Sequence, residues 1–567
     1  MTFQGTAQLI FYAVVLTGLA YPLGIYMARV YEGKIGLVNG RLAVGERWFL
    51  RLVGSDPDRE QNWKQYAAST LIFSVVFVVL LYLLLRSQGH LPLNPDDLPG
   101  ISAPLALNTA ASFITNTNWQ YYGGEYTMSY LSQMAGLAVQ NFVSAAVGMA
   151  VLAAVVRGFA RRTTSDIGNF WRDLYRSLVY ILLPLAVVLG IILISQGVPQ
   201  TFDSHATATT LQGGHQAIAR GPVASQIAIK QLGTNGGGFY NSNSAVPFEN
   251  PNGFTNFLED IAILLIPMAQ VFMFGRMIGR MRQGWAIWAA MFVLMVAGVA
   301  IAYPAEGHSS QVLRDSGVNI TAGSQQSGGN MQDKEVRFGI ADTALWASTT
   351  TNASNGSVNG GHDALTPTGG AVPLVNMFFG EVIWGGVGSG LYGMFFYVVM
   401  AVFVAGLMVG RTPEYLGKKI EAREVTIASV GALFVPTMAL VLAGISVVTH
   451  AGLASVYNSG AHGFTEALYA YTSQSNNNGS AFAGYGALPF SENLGSVGLY
   501  LGRFVPMLAA LAVGGTLASK KTHPESAGTF RTDGPTFAFL LVAIIILTAG
   551  LMIFPALTLG PIVEALS

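Results

Sequence analysis

Cysteine is absent from all 567 residues, which excludes disulfides and thiolate metal sites. Charge is nearly as scarce. Only 10% of the chain is Asp, Glu, Lys or Arg, against about a quarter in an ordinary soluble protein, so water is not its main solvent. The 29 basic and 29 acidic residues cancel, and net charge points to no partner, nucleic acid included. No Walker-type G-x-x-x-x-G-K-[ST] occurs, nor does the DKTG phosphorylation sequence of P-type ATPases. "GGTLASKKT" (514–522) has glycines and lysines, but no glycine precedes either lysine. No bound nucleotide is therefore expected. H-E-x-x-H and G-x-S-x-G are missing too, which leaves His215, His362 and His462 as scattered loop residues rather than the makings of an intramembrane enzyme.

What is present is apolar length. Hydrophobic residues make up 51% of the chain, mean hydropathy is +0.47, and runs such as "LIFSVVFVVLLYLLL" (71–85) are too long and continuous for barrel strands. A helix crosses the hydrocarbon core with about 20 apolar residues, and only helices or closed barrels satisfy their backbone there. The expected fold is an all-α polytopic membrane protein with ten spans, near 6–28, 66–86, 129–156, 175–195, 256–279, 284–303, 373–408, 425–449, 493–517 and 536–558. The first run follows no basic leader and is expected to be a retained span. Loops after odd-numbered spans hold 22 of the 29 basic residues, Arg41 and Arg411 among them, and the opposite loops hold six. The positive-inside rule then puts both termini outside.

Four of the outer loops share a design. Each has a short apolar segment, suited to a re-entrant half-helix of about ten residues, followed by a tract rich in Asn, Thr, Ser and Gly: "LALNTAASFITNTNWQ" (105–120), "ASQIAIKQLGTNGGGF" (224–239), "TALWASTTTNASNGSV" (343–358) and "TEALYAYTSQSNNNGSAF" (465–482). Three share a triplet, Thr234-Asn235-Gly236, Ser354-Asn355-Gly356 and Asn477-Asn478-Gly479, whereas the first reads Thr115-Asn116-Thr117-Asn118 and lacks the glycine. Phe239 and Phe482 both follow the triplet glycine by three residues. Such repetition predicts four span–half-helix–span units, with one extra helix at each end. A dehydrated cation needs several oxygen ligands, and four segments meeting on one axis supply rings of backbone carbonyls. Turning successive carbonyls inward requires φ > 0, which glycine adopts freely and Asn tolerates. No Asp or Glu lies in the four tracts, so carbonyl dipoles would do the selecting, as suits a monovalent ion.

"NWKQY" (62–66), "TNTNWQ" (115–120), "GPVASQ" (221–226), "LGTNGGGF" (232–239), "GGVGSGLYGM" (385–394), "GRTPEYLGKK" (410–419) and "NNNGSAFAG" (476–484) carry a resemblance over essentially the whole chain. The sequence resembles the family of potassium-binding A subunits of the bacterial Kdp potassium-transporting ATPases, related to potassium channels and the Trk/Ktr-type transporters. The resemblance implies a pseudo-fourfold pore and high-affinity potassium uptake across the bacterial inner membrane. It implies ATP hydrolysis by a separate P-type ATPase subunit, with a Kdp C subunit and a small single-span subunit as further partners. It also implies the filter positions: Asn116, Thr117 and Asn118; Thr234, Asn235 and Gly236; Ser354, Asn355 and Gly356; and Asn477, Asn478 and Gly479. An autonomous channel or an ion-coupled transporter is the alternative, since a filter does not reveal its energy source. The units expected are 1–65 (extra helix and cytoplasmic loop), 66–157, 175–280, 284–410 and 425–518 (pore units one to four) and 535–567 (extra helix).

Two intramembrane charges stand out, Glu381 in the seventh span and Arg503 in the ninth, because such charges are costly and usually functional or paired. The seventh span is also interrupted by "GGVGSG" (385–390). Each glycine weakens a helix by about 1 kcal/mol relative to alanine, so Gly385, Gly386, Gly388, Ser389 and Gly390 are expected to open into a loop that obstructs the pore below the filter. Close helix packing is the competing expectation.

Overall fold

The computed structural model describes residues 2–36, 42–308, 311–323, 328–410, 412–524 and 530–566. Arg41 and Arg411 of the loop-charge count lie outside the described residues. Among the described residues, ten helices are long and apolar enough to cross a membrane. In chain order with the shorter helices between them, they are α1 (Phe3–Tyr31), α2 (Trp63–Ser87), the short α3 (Ala103–Ile114), α4 (Ser132–Ala160) and α5 (Phe170–Ser195). The short α6 (Val223–Leu232), α7 (Gly253–Met277), α8 (Met281–Gly307) and the short α9 (Gly339–Asn352) follow. Then come α10 (Pro367–Phe378), α11 (Ser389–Val409), α12 (Ala422–Val448), α13 (Gly460–Asn476), α14 (Pro489–Ser519), α15 (Pro535–Leu559) and the terminal α16 (Pro561–Leu566).

Local sequence explains where these helices start. Asn62 and Asn252 cap α2 and α7 with their side-chain oxygens, and Gln65 and Thr255 return the bond to the cap backbone, a capping box that satisfies otherwise orphaned N–H groups. Between spans, a short helix and a polar tract recur four times. The second helix of each repeat is the more buried one: over an apolar stretch of 18 residues, 89% of α4 against 28% of α2, and 83% of α7 against 44% of α5. The inner helices surround the axis, and the outer ones face lipid with residues such as Val75, Val79 and Leu83. The extra helices lie outside the ring: α1 packs along α7, and α15 along α8.

The inner helices approach closely where side chains vanish. Gly158 near the end of α4 sits directly on Gly514 of α14, with no room for a Cβ, the small-residue contact that membrane helix pairs rely on. Both helix ends are closed by Lys418, whose buried ammonium donates to the carbonyls of Gly158 and Leu517 at 2.8 Å and of Arg161. A cation there also complements two helix C-termini. Lys418 thereby ties the first and fourth repeats together. Gly158→Val should cost about 1–3 kcal/mol through overpacking and lower the melting temperature of the purified protein. Gly18→Val on α1, where nothing lies within 4 Å, should leave it unchanged.

Candidate ion-binding site

Each short helix ends where a polar tract begins: α3 at Ile114, α6 at Leu232, α9 at Asn352 and α13 at Asn476. Their carbonyl-bearing ends therefore meet the tracts, and the partial negative charge of a helix C-terminus favours a cation there. These helices have 12, 10, 14 and 17 residues, so the last two exceed the ten or so expected. In α13 the polar residues Thr472 to Asn476 are themselves helical.

The tracts share one backbone. Positive φ recurs at alternate residues in all four: Asn116 (66°) and Asn118 (52°), Thr234 (48°) and Gly236 (71°), Ser354 (53°) and Gly356 (85°), Asn477 (62°) and Gly479 (103°). Alternation of left-handed and ordinary residues directs successive carbonyls to one side of a strand-like segment. Five non-glycine residues and the β-branched Thr234 among them hold a conformation such residues rarely adopt. The first tract lacks its glycine because Asn118 takes the left-handed place, and Asn is among the few residues that tolerate it.

The four tracts close into a ring. A Cβ on Gly236 would overlap the Asn355 carbonyl oxygen, one on Gly356 that of Asn478, and one on Gly479 that of Thr117. Each glycine thus receives the middle carbonyl of the next tract against its Cα. Asn118 completes the circuit, its amide donating to the Gly236 carbonyl at 2.9 Å and to Asn141 at 2.8 Å. The middle asparagines clamp the ring from behind. Asn355 donates to the Lys230 carbonyl at 3.1 Å and Asn478 to that of Thr350 at 2.9 Å, each reaching the short helix of the preceding repeat. Asn235 donates to Asn116 and Ser144, Asn116 to the Thr234 carbonyl at 2.9 Å, and Ser354 to the Asn477 carbonyl at 2.7 Å. The twelve residues expected at the filter lie together here.

Behind the second tract lies a network that sequence reasoning missed. Lys230 and Glu249, both fully buried, form an ion pair; Lys230 also donates to Ser244 at 3.0 Å, and Glu249 accepts from the Tyr240 N–H at 2.9 Å. Gln231 and Ser244 bond Glu259. Lys230 had been counted as an ordinary loop charge, and nothing in its spacing from Glu249 signals a pair. Glu125 accepts from the Asn241 N–H at 2.9 Å, tying the outer loops of two repeats.

The seventh span is two helices, α10 and α11, and residues 379–388 between them are not helical. The break thus begins earlier than 385–390: Gly385, Gly386 and Gly388 belong to it, whereas Ser389 and Gly390 form the first turn of α11. Glu381, expected within a span helix, sits in the break at φ 50°. The loop reaches three repeats below the tracts. Val387 N–H donates to Thr234 Oγ1 at 2.9 Å, Gly388 N–H donates to Gln270 Oε1 at 2.7 Å, Gly386 lies beside Ser354, and Gly388 rests on the Gly148 carbonyl of α4. Trp384 and Val387 are fully buried. Close backbone approach is also real, since Gly385 abuts Gly390; the glycines serve loop and packing together. A cavity of about 60 Å³, lined by Glu381, Asn477, Tyr392 and Arg503 among others, lies under the tracts between the third and fourth repeats. The Glu381 carboxylate is 2% exposed and neither oxygen completes a hydrogen bond, although Ser354, Asn478 and Arg503 lie within electrostatic reach. A buried carboxylate in that condition is costly to keep charged.

A family model described as "Potassium-transporting ATPase A subunit" matches residues 10–566. A potassium-transporting ATPase potassium-binding subunit of Methylobacterium nodulans is 54% identical over the whole chain and 98% of its own length. Proteins of the same name from Rhodospirillum centenum (53%, covering 98% of that protein) and Sorangium cellulosum (54%, covering 99%) also match this chain in full. Among solved structures, the potassium transporter TrkH from Vibrio parahaemolyticus aligns with a TM-score of 0.51 at 13% identity, over 87% of this chain and 96% of that one. At that identity the likeness is one of fold.

Lys230→Met should destabilise the protein by about 3–5 kcal/mol, because it leaves the Glu249 charge buried and unpaired. Lys230→Met with Glu249→Gln should recover most of that loss. Thermal unfolding of the purified single and double variants measures the coupling, and equal melting temperatures would deny it.

Proposed function

The chain belongs to the family of potassium-transporting ATPase A subunits, and from that premise we propose that it binds and translocates potassium within an ATP-driven uptake complex. Selection occurs in the ring of backbone carbonyls, and a separate P-type ATPase subunit hydrolyses ATP. A C subunit and a small single-span subunit complete the assembly in the bacterial inner membrane, with both termini of this chain outside. The chain alone binds no nucleotide and catalyses nothing. The observation that carries the reading is the alternating left-handed backbone of four tracts packed Cα to carbonyl around one axis. Such carbonyls replace the hydration shell of a potassium ion with oxygens of fixed direction, and the absence of carboxylates from the ring suits a monovalent cargo.

Below the ring, the loop 379–388 is the gate. It blocks the straight route that an open channel requires, and this favours the pump subunit over an autonomous channel. The ion leaves the ring for the cavity beside Glu381 and Arg503 and moves sideways towards the partner subunit. Glu381 receives it, while the Arg503 charge keeps the site from becoming a trap.

Gly236→Asp brings a Cβ and a charge onto the Asn355 carbonyl. In the assembled complex it should raise the half-saturating potassium concentration of ATPase activity by about tenfold or more and change discrimination against rubidium and ammonium. An unchanged potassium dependence with proper assembly would count decisively against the ring as the selecting site. Shortening 386–389 tests the gate. Proteoliposomes bearing that variant should leak potassium without ATP hydrolysis, and a shortened protein that assembles and stays tight would leave the glycines only a packing role.

A further inference from the structure

Outside the ring, the four tracts open into a cavity of about 430 Å³ whose wall includes Asn118, Gly237, Gly356 and Gly479. Its lining is aromatic and amide-rich, and a single lining residue carries a formal charge: Asp333. His362, also in the wall, is not a second charge, because burial and the nearby Lys334 ammonium push its imidazole down to about 3. The neighbours of Asp333 are all committed elsewhere. Lys334 pairs with Glu306 at 2.8 Å, both side chains fully buried; Glu335 pairs with Arg337; Asp363 lies 3.2 Å from the His462 ring. Among the described residues Asp333 has no ion pair of its own and no side-chain hydrogen bond.

The fold holds this carboxylate in place. Asp333 stands at φ 48°, a left-handed position. Its carbonyl accepts the Gly361 N–H at 2.8 Å, and its Oδ2 rests where a Cβ of residue 361 would be. Gly361 thus makes room for the carboxylate beside Gly360 and His362 in the cavity wall. Asp333 is solvent-exposed, and an unpaired negative charge on the wall of a concave pocket raises the local concentration of cations there.

We infer that the outer vestibule holds a hydrated monovalent cation at the Asp333 carboxylate, a waiting site ahead of the filter. The inference rests on the potassium reading above and adds a step to it. The vestibule carboxylate sets how often an ion arrives, and the carbonyl ring sets which ion enters. The site does not discriminate, since one carboxylate facing a wet cavity cannot strip a hydration shell. Its contribution weakens with salt, because the screening length shrinks from about 30 Å at 0.01 M to about 10 Å at 0.1 M.

Two neutral substitutions tolerate the left-handed backbone, Asp333→Asn and Asp333→Gly. In the complete complex both should raise the half-saturating potassium concentration of ATPase activity about two- to fivefold at roughly 10 mM ionic strength, as one charge several ångströms away in a wet medium allows. Maximal activity should be retained. With choline chloride added to about 0.3 M the difference from the unsubstituted protein should fall below about twofold. The order of preference among potassium, rubidium and ammonium should not change, in contrast to Gly236→Asp, so failure here is separable from failure of the filter. An unchanged half-saturation at low salt would overturn the site. So would a rise that ignores salt, an effect of only one of the two substitutions, or an altered ion preference.

Discussion

The structure depends on one steric constraint: four chain segments must bring carbonyl oxygens against the Cα atoms of their neighbours without a Cβ between them. Gly236, Gly356 and Gly479 meet it directly, and Asn118 meets it by turning its amide onto Gly236. The alternating backbone this needs is unfavourable at Asn116, Asn118, Thr234, Ser354 and Asn477, where each non-glycine residue in the left-handed region costs of order 1–3 kcal/mol. Strain of that kind persists only when the surroundings over-determine it. Here the amides of Asn116, Asn235, Asn355 and Asn478 each bind the backbone or side chain of an adjoining repeat, so no tract can relax without unfastening another.

The same logic extends outward and downward. The short helices are held from behind by buried polar networks, Lys230–Glu249 among them, and the Lys230 carbonyl also accepts the N–H groups of Asn235 and Gly236. One residue therefore serves the ring with its backbone and the scaffold with its side chain. Below, Thr234 takes part in both the ring and the loop 379–388, because its left-handed backbone belongs to the tract while its hydroxyl accepts the Val387 N–H. Ring and loop are thus joined at Thr234.

How much of this was legible beforehand follows from the length scale of each signal. Spans announce themselves through 20 or more apolar residues, and all ten are present. The tracts were legible because Thr/Ser/Asn-Asn-Gly recurs at equivalent places. The extent of the break was less so: "GGVGSG" marks its C-terminal end, yet the chain leaves the helix at Phe379, and Gly380 and Glu381 both take positive φ. Ser389 and Gly390 rejoin a helix because Gly388 at φ 88° starts it. Pairings between distant residues were not legible at all. Lys230 with Glu249, Lys334 with Glu306 and Lys418 with three helix-end carbonyls depend on how segments far apart in sequence cross, which neither periodicity nor composition records.

Charge along the axis then acquires an order. The ring itself contains none, and carbonyl dipoles are strong only at contact distance, so in the proposed function they act on an ion that has already arrived and shed its water. A full charge inside the ring would bind a cation too firmly to release it, and conduction needs sites favourable enough to enter and weak enough to leave. Full charges are instead kept to either side: Asp333, solvent-exposed, in the wall of the outer cavity, and Glu381 with Arg503 in the lining of the cavity below. On the route proposed above, an unscreened carboxylate below the ring would hold potassium and an arginine alone would refuse it, whereas the pair would let the site fill from above and empty sideways. Beneath the ring the loop's glycines lie against α4 and α11 with no side chain between, Gly388 on Gly148 and Gly385 on Gly390.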